Sequence, residues 1–448
     1  MSLSRILLGL LGVVVVAGIG VALWLIGPGP MAFASGPKVA LASYSSANPT
    51  GVPPELASAS LVQRGEYLAK AADCMVCHTV PGGAPYAGGF AFTLPFGVLY
   101  STNITPDRET GIGAYSDADF LRAMRQGVRR DGARLYPAMP FTSYTYLTDA
   151  DALAIKAYLF SLPPVRAAAR ANSLAFPFNQ RVLMAFWSLP YNPNRRFEPD
   201  TSRSPEWNRG AYLAEALAHC GECHTPRNLA FALDNRRKFG GALTAGWRAY
   251  NISSDKGTGV GGWSDDEVFR YLSDGHATGH GTASGPMGEA VDNSFSQMTP
   301  SDVHAMATYL RSVPPHASHD LPATLAPPAS ASHRDGPQIA DARGKQVFEG
   351  ACASCHSWTG VSPIAPTATL TGSRAVNDPT AVNVAQVVLL GAARRTPQGT
   401  LAMPAFGDAY SDAEIAAVAN YVTARFGSKP SSITEKQVAD LRKQTAQE

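Results

Sequence analysis

The pentads Cys74-Met75-Val76-Cys77-His78, Cys220-Gly221-Glu222-Cys223-His224 and Cys352-Ala353-Ser354-Cys355-His356 use all six cysteines of the 448-residue chain. None is left over. Independent placement of these residue types would give roughly 0.002 such pentads per chain, so three of them mark a repeated unit.

Each pentad follows a similar stretch: Arg64-Gly65-Glu66-Tyr67-Leu68, Arg209-Gly210-Ala211-Tyr212-Leu213 and Arg343-Gly344-Lys345-Gln346-Val347. Each repeat ends in a helix announced by a Thr or Ser with nearby acids. These starts are Thr148-Asp149-Ala150-Asp151, Thr299-Pro300-Ser301-Asp302 and Ser411-Asp412-Ala413-Glu414, leading to Tyr158, Tyr309 and Tyr421. The unit is therefore helix, pentad, loops, helix. Three units predict an all-α fold of three tandem domains, at 61–165, 205–315 and 340–427, in keeping with roughly 150 residues per domain.

Repeats one and two share an insert that repeat three lacks. Asn103-Ile104-Thr105 and the run from Thr110 to Asp117 match Asn251-Ile252-Ser253 and the run from Thr258 to Asp265. Both Asn motifs also read as glycosylation acceptors, but recurrence at the same place favours a pocket-forming loop. Residues 166–204 hold an aromatic stretch, Phe176 to Trp187, expected to pack as a strap on a neighbouring domain or subunit. Residues 316–339 read as a Pro/Ala-rich linker. Residues 428–448 form a polar tail, with Ile433, Val438 and Leu441 suggesting one short helix.

At the N-terminus, Ile6 to Ile26 is an uncharged run of 21 residues, ended by Gly27-Pro28-Gly29-Pro30. It matches the roughly 20 residues of a bilayer span, so 1–35 reads as a retained anchor. Ala32-Phe33-Ala34 before Ser35 offers the alternative of a cleaved signal peptide. Both place the body outside the cytoplasm, and Arg5 keeps the short N-terminus inside. The expected location is the periplasmic face of the inner membrane. A formal charge of +2, with no extended basic run, excludes a nucleic-acid partner.

Two cysteines three apart on a helical turn can bond both vinyl groups at one edge of a haem, and the adjacent histidine then faces the iron. This is the attachment signature of c-type haem, so three covalently bound haem c groups are expected, on Cys74 and Cys77, Cys220 and Cys223, and Cys352 and Cys355. Zinc needs four protein ligands, and each pentad offers three. The fifth iron ligands are His78, His224 and His356. For the sixth, Met139 follows His78 by 61 residues in Tyr136-Pro137-Ala138-Met139-Pro140, whereas Met124 fits a helical core position. Met287 follows His224 by 63 residues and is preferred over Met298; His276 and His280 stay open as bis-histidine alternatives. Met403 follows His356 by 47 residues. Met/His pairing closes the iron to small molecules and leaves electron transfer. His219 reads as a surface or propionate-contacting residue. Arg64, Arg209 and Arg343 read as propionate partners or as a solvated helix face.

Asn103-Ile104-Thr105-Pro106-Asp107, Tyr136 to Pro140, Trp207 to Leu213 and His219 to Asn228 closely resemble the three-haem cytochrome c subunit of bacterial membrane-bound dehydrogenases. The resemblance covers nearly the whole chain beyond the N-terminal segment. It implies a periplasmic catalytic partner holding flavin, pyrroloquinoline quinone or a molybdenum cofactor, and delivery of electrons to membrane ubiquinone. On that reading the chain is a non-catalytic subunit of an oxidoreductase. Arg394-Arg395-Thr396-Pro397 departs from the alcohol-oxidising members, so that substrate is not assigned. Two alternatives are a stand-alone carrier feeding a terminal oxidase and a haem peroxidase with one open iron.

Overall fold

A computed structural model of the chain describes residues 12, 16–18, 20–21, 23–321, 342–396 and 399–445. In each repeat the opening helix lies across the closing helix: Leu61–Ala71 on Asp149–Ser161, Pro205–Tyr212 on Pro300–Leu310, and Ala342–Val347 on Asp412–Phe426. The crossings explain the shared Arg-Gly. A Cβ on Gly65 would stand 1.8 Å from the carbonyl oxygen of Ala154, one on Gly210 1.8 Å from that of Ala305, and one on Gly344 2.2 Å from that of Ala417. Glycine lets the two backbones touch where any side chain would push them apart. The closing helices start as expected: Thr148, Thr299 and Ser411 accept from the backbone N–H groups of Asp151, Asp302 and Glu414.

The expectation of an all-α fold is corrected by nine short strands in four small antiparallel sheets among the described residues. β1 (Ala91–Leu94), β2 (Gly97–Tyr100) and β3 (Ser173–Leu174) form one, with the strap supplying β3. β4 (Ala242–Thr244) pairs β5 (Trp247–Ala249), β6 (His276–Ala277) pairs β7 (Gly281–Thr282), and β8 (Ala392–Thr396) pairs β9 (Gly399–Met403). The physical reason is local turn chemistry. Between β4 and β5, Ala245 and Gly246 both take positive φ, 48° and 72°, the backbone of a tight two-residue hairpin. An alanine in that place hides the turn from a reading by residue type.

The N-terminal expectation is also corrected. Among the described residues no helix is long and apolar enough to cross a membrane. Residues 1–11, 13–15, 19 and 22 lie outside the described residues. The described helical residues end at Ile26, where Gly27 takes φ +66° and Pro28 follows. The cleavage-site residues belong to the body: Ala34 is buried and the Phe33 ring lies 6.1 Å from that of Tyr309.

Repeats one and two share one hydrophobic core, and repeat three has its own. At the seam between the first two, equivalent residues are exchanged. The Tyr67 hydroxyl donates to Asp302 at 2.6 Å, and the Tyr212 hydroxyl donates to Asp151 at 2.5 Å. Arg209 adds a buried two-pronged ion pair to Asp302, at 2.7 and 2.6 Å. The strap packs one face inward, Phe178 stacking on Phe96 at 4.2 Å and Trp187 donating to the Ala230 carbonyl. Its other face leaves Phe176, Val182, Phe186 and Leu189 exposed. The proposed linker lies outside the described residues from 322 onward; Ser318 and Leu321 before it still pack on repeat two. The tail is no appendage. Its helix Glu435–Thr445 buries Val438 and Leu441 in the third core.

Candidate functional site

The pentads of repeats one and three end a helical turn, Cys74–Cys77 and Ala353–His356, and the second spans Gly221–His224. A left-handed residue precedes the first cysteine in repeats one and two, Asp73 with φ 50° and His219 with φ 37°, and turns the chain sharply into the pentad. One more residue separates the Arg-Gly from the pentad in repeat two than in repeat one, and there the helix widens into a π-turn, Leu213–Leu217.

The three histidines are held alike. Nδ1 of His78 lies 2.7 Å from the Thr102 carbonyl, Nδ1 of His224 2.6 Å from that of Tyr250, and Nδ1 of His356 2.6 Å from that of Ala368. A carbonyl only accepts, so each Nδ1 carries the proton and Nε2 keeps its lone pair for a metal. Burial lowers all three histidine pKa values, which favours the neutral form that can ligate. Burial also pushes the thiols up, Cys74, Cys77 and Cys220 to about 12 and Cys223 and Cys352 to about 11. A redox dithiol or a zinc site works in the opposite direction, by favouring thiolate. None of the six cysteines is joined to another in a disulfide.

A continuous cavity of about 2000 Å³ joins the first two repeats. Cys74, Cys77, His78 and Met139 line it on one side and Cys220, Cys223, His224 and Met287 on the other. It exceeds the ~300–1,000 Å³ of an ordinary small-molecule pocket, as two large planar groups in one space would require. Met298 is buried in the core away from this cavity, whereas Met124, also buried in the core, borders it together with Met139. Met403 borders the same cavity from repeat three, whereas Cys352, Cys355 and His356 do not line it.

The shared inserts build matching walls. The Asn103 amide donates to Thr110 and to the Val165 carbonyl and accepts from the Thr105 N–H; Asn251 bonds Thr258, His316 and Ser253 in the same pattern. Both asparagines are nearly fully buried, which suits a pocket loop. His280 stacks on Trp263 at 3.8 Å and pairs through Nε2 with Glu267 at 3.2 Å, and His276 bonds Thr282 through Nδ1 at 2.9 Å. His219 is half-buried and borders the cavity. It lies at the seam, its ring 5.7 Å from that of Tyr144, whose hydroxyl donates to the Ala72 carbonyl two residues before Cys74. The arginines differ from one another: Arg209 goes to Asp302, while Arg64 donates to the Ala59 and Ala57 carbonyls at the start of its own helix. The residue missed in the sequence is Glu215, buried in the π-turn against Lys238 at 2.7 Å and bonded by Tyr309. A lone glutamate among apolar residues before a pentad was its only signal.

The sequence matches the family described as "Cytochrome c" over residues 62–163 and that described as "Cytochrome C oxidase, cbb3-type, subunit III" over residues 340–422. It is 37% identical to the fructose dehydrogenase cytochrome subunit of Gluconobacter japonicus, over 88% of this chain and 85% of that one. It is 36% identical to the gluconate 2-dehydrogenase cytochrome c subunit of Pantoea cypripedii, over 86% of this chain and 90% of that one. The chain belongs to the family of dehydrogenase cytochrome c subunits. A nicotinate dehydrogenase subunit of Pseudomonas putida is 44% identical over 82% of this chain, and the match spans 30% of that longer relative. Family membership makes haem c the cofactor of these domains, and the paired cysteines and oriented histidines fit it.

Proposed function

We propose that this cytochrome subunit holds three haem c groups and passes electrons from a dehydrogenase catalytic subunit to ubiquinone at the periplasmic face of the inner membrane. Cys74 and Cys77, Cys220 and Cys223, and Cys352 and Cys355 would attach the groups. His78 with Met139, His224 with Met287, and His356 with Met403 would ligate them. A haem so ligated changes by one electron and offers no open iron position. The observation that carries the reading is the threefold histidine geometry, Nδ1 on a backbone carbonyl and Nε2 available, in repeat three as in the other two.

What the chain itself supplies is placement. The backbone carbonyls of Thr102, Tyr250 and Ala368 fix ring orientation, the insert asparagines close the walls, and the glycine crossings hold each helix pair under its pentad. The common core of repeats one and two keeps the two halves of the cavity at a constant separation. The catalytic partner would carry flavin, pyrroloquinoline quinone or molybdenum. The exposed row Phe176, Val182, Phe186 and Leu189 supports a lasting partner, since an apolar surface of this kind is normally covered.

Intact-mass measurement of the holoprotein, with haem quantified as its pyridine adduct, is expected to give three haems per chain. Two per chain, with Cys352 and Cys355 free to alkylate, would remove the third assignment. Reduction of a ubiquinone analogue by the purified complex on addition of the partner's substrate tests the direction of flow.

A further inference from the structure

Arg394 belongs to repeat three in sequence and to repeat two in space. Its guanidinium is 4% exposed and reaches from β8 into the neighbouring repeat. Nη1 donates to the Gly288 carbonyl at 2.8 Å, Nη2 donates to the Asp274 carbonyl at 3.3 Å, and Nη2 pairs with the Asp292 carboxylate at 3.0 Å. Gly288 follows Met287, and Asp292 lies one turn further along the same helix, Gly285–Asn293. Asp274 ends the preceding helix, Asp265–Asp274. One planar cation therefore ties the middle and the last turn of the Met287 helix to the element that leads into it. A space is kept for it, because a Cβ on Gly275 would stand 2.4 Å from the guanidinium.

The Met287 helix needs outside support. Its first turn has no side-chain cap. Met139, by contrast, sits in a turn closed by its own backbone bond to the Tyr136 carbonyl at 3.0 Å, between Pro137 and Pro140, with Tyr136 bonded to the strap at 2.7 Å. The hairpin that carries Arg394 also carries Met403, which pairs with Ala392 across the two strands.

We propose that Arg394 is a positioning residue for Met287: the third repeat, through this guanidinium, holds the sixth ligand of the second. The proposal rests on the reading of Met287 as that ligand. It makes axial ligation in repeat two depend on how repeat three is docked, so that the two haem sites are mechanically coupled.

The test uses the full-length holoprotein. The readouts are the long-wavelength methionine-to-iron charge-transfer absorption of the oxidised form and carbon monoxide uptake by the reduced form. Met287→Ala should lose the absorption of one haem and take up one carbon monoxide per chain. Arg394→Met should lose most of that same absorption and gain uptake at the same haem. Gln386→Ala, which removes a different contact between these repeats, the bond to the Gly246 carbonyl at 3.0 Å, should change neither. Full absorption and no uptake in Arg394→Met, with loss in Met287→Ala, overturns the proposal and leaves the ligand reading standing. Full absorption in Met287→Ala overturns the ligand reading itself. An equal loss in Gln386→Ala overturns the specific role of Arg394. Should Arg394→Met fail to fold, Asp292→Asn carries the test: a partial loss of the same absorption supports the proposal and an unchanged spectrum overturns it.

Discussion

The seam between repeats one and two and the seam between repeats two and three are built on different principles. The first is an exchange of equivalents, Tyr67 to Asp302 and Tyr212 to Asp151, set in one apolar core that runs through both repeats. The second joins two separate cores through polar side chains. Asn383 bonds both the N–H and the carbonyl of Arg248, Gln386 bonds Gly246, Arg248 pairs with Asp378, and Arg394 reaches Gly288. Repeat three could not copy the first seam. Gln346 stands where Tyr67 and Tyr212 do, and Glu414, in place of the aspartates, is occupied by its own helix cap. A duplicated pair that buries one core behaves as one folding unit, whereas a third member with its own core docks as a partner does.

The largest test removes the centre of the first seam. Asp302→Ala leaves the Arg209 cation buried without its carboxylate and should cost about 3–5 kcal/mol in urea unfolding, with repeats one and two lost together. Separate unfolding of the two would break the comparison. Next come the helix crossings: Gly65→Ala and Gly210→Ala should each cost about 1–3 kcal/mol or more by overpacking against a carbonyl. Gly344→Ala, with the shallower clash, should lower only the calorimetric transition of repeat three. A single hydroxyl comes third. Tyr212→Phe should cost ~2 kcal/mol and Tyr67→Phe ~1 kcal/mol, because Asp302 keeps the Arg209 cation when Tyr67 is lost while Asp151 keeps only a neutral donor, the N–H of Gly51 in the segment that precedes repeat one. Equal losses would show that the exchange is symmetric in energy as well as in sequence. The smallest effect belongs to the second seam, where Gln386→Ala should cost about 1 kcal/mol and shift the third transition alone.

Much of the site was legible because it is local. Cysteine and histidine within five residues sit on one helical turn wherever the turn lies, and a Thr or Ser before the closing helix bonds its own N–H groups whatever packs nearby. The repeated Arg-Gly was visible as a pattern, but its meaning was not: the glycine serves a backbone contact between 73 and 95 residues away, and Arg209 and Arg64 serve different partners. The strands escaped because Ala245 takes a left-handed conformation that its residue type does not announce. His219 was read as a surface or propionate-contacting residue, and its place at the seam was hidden because nothing in its neighbourhood tells which surface repeat one will cover.

By itself the sequence determined the chemistry of this protein: three pairs of thiols, three adjacent imidazoles and a methionine downstream of each, together with the helices that frame them. All of these depend on spacing along the chain, which geometry converts directly into position. Only the tertiary structure decided that the first two sites open into one cavity, that Tyr67 and Tyr212 trade partners, and that Arg394 leaves its own repeat to hold the Met287 helix. Those side-chain contacts join residues between 61 and 235 positions apart, and they exist because buried carboxylates, carbonyls and cations take whatever partner the packing brings within reach.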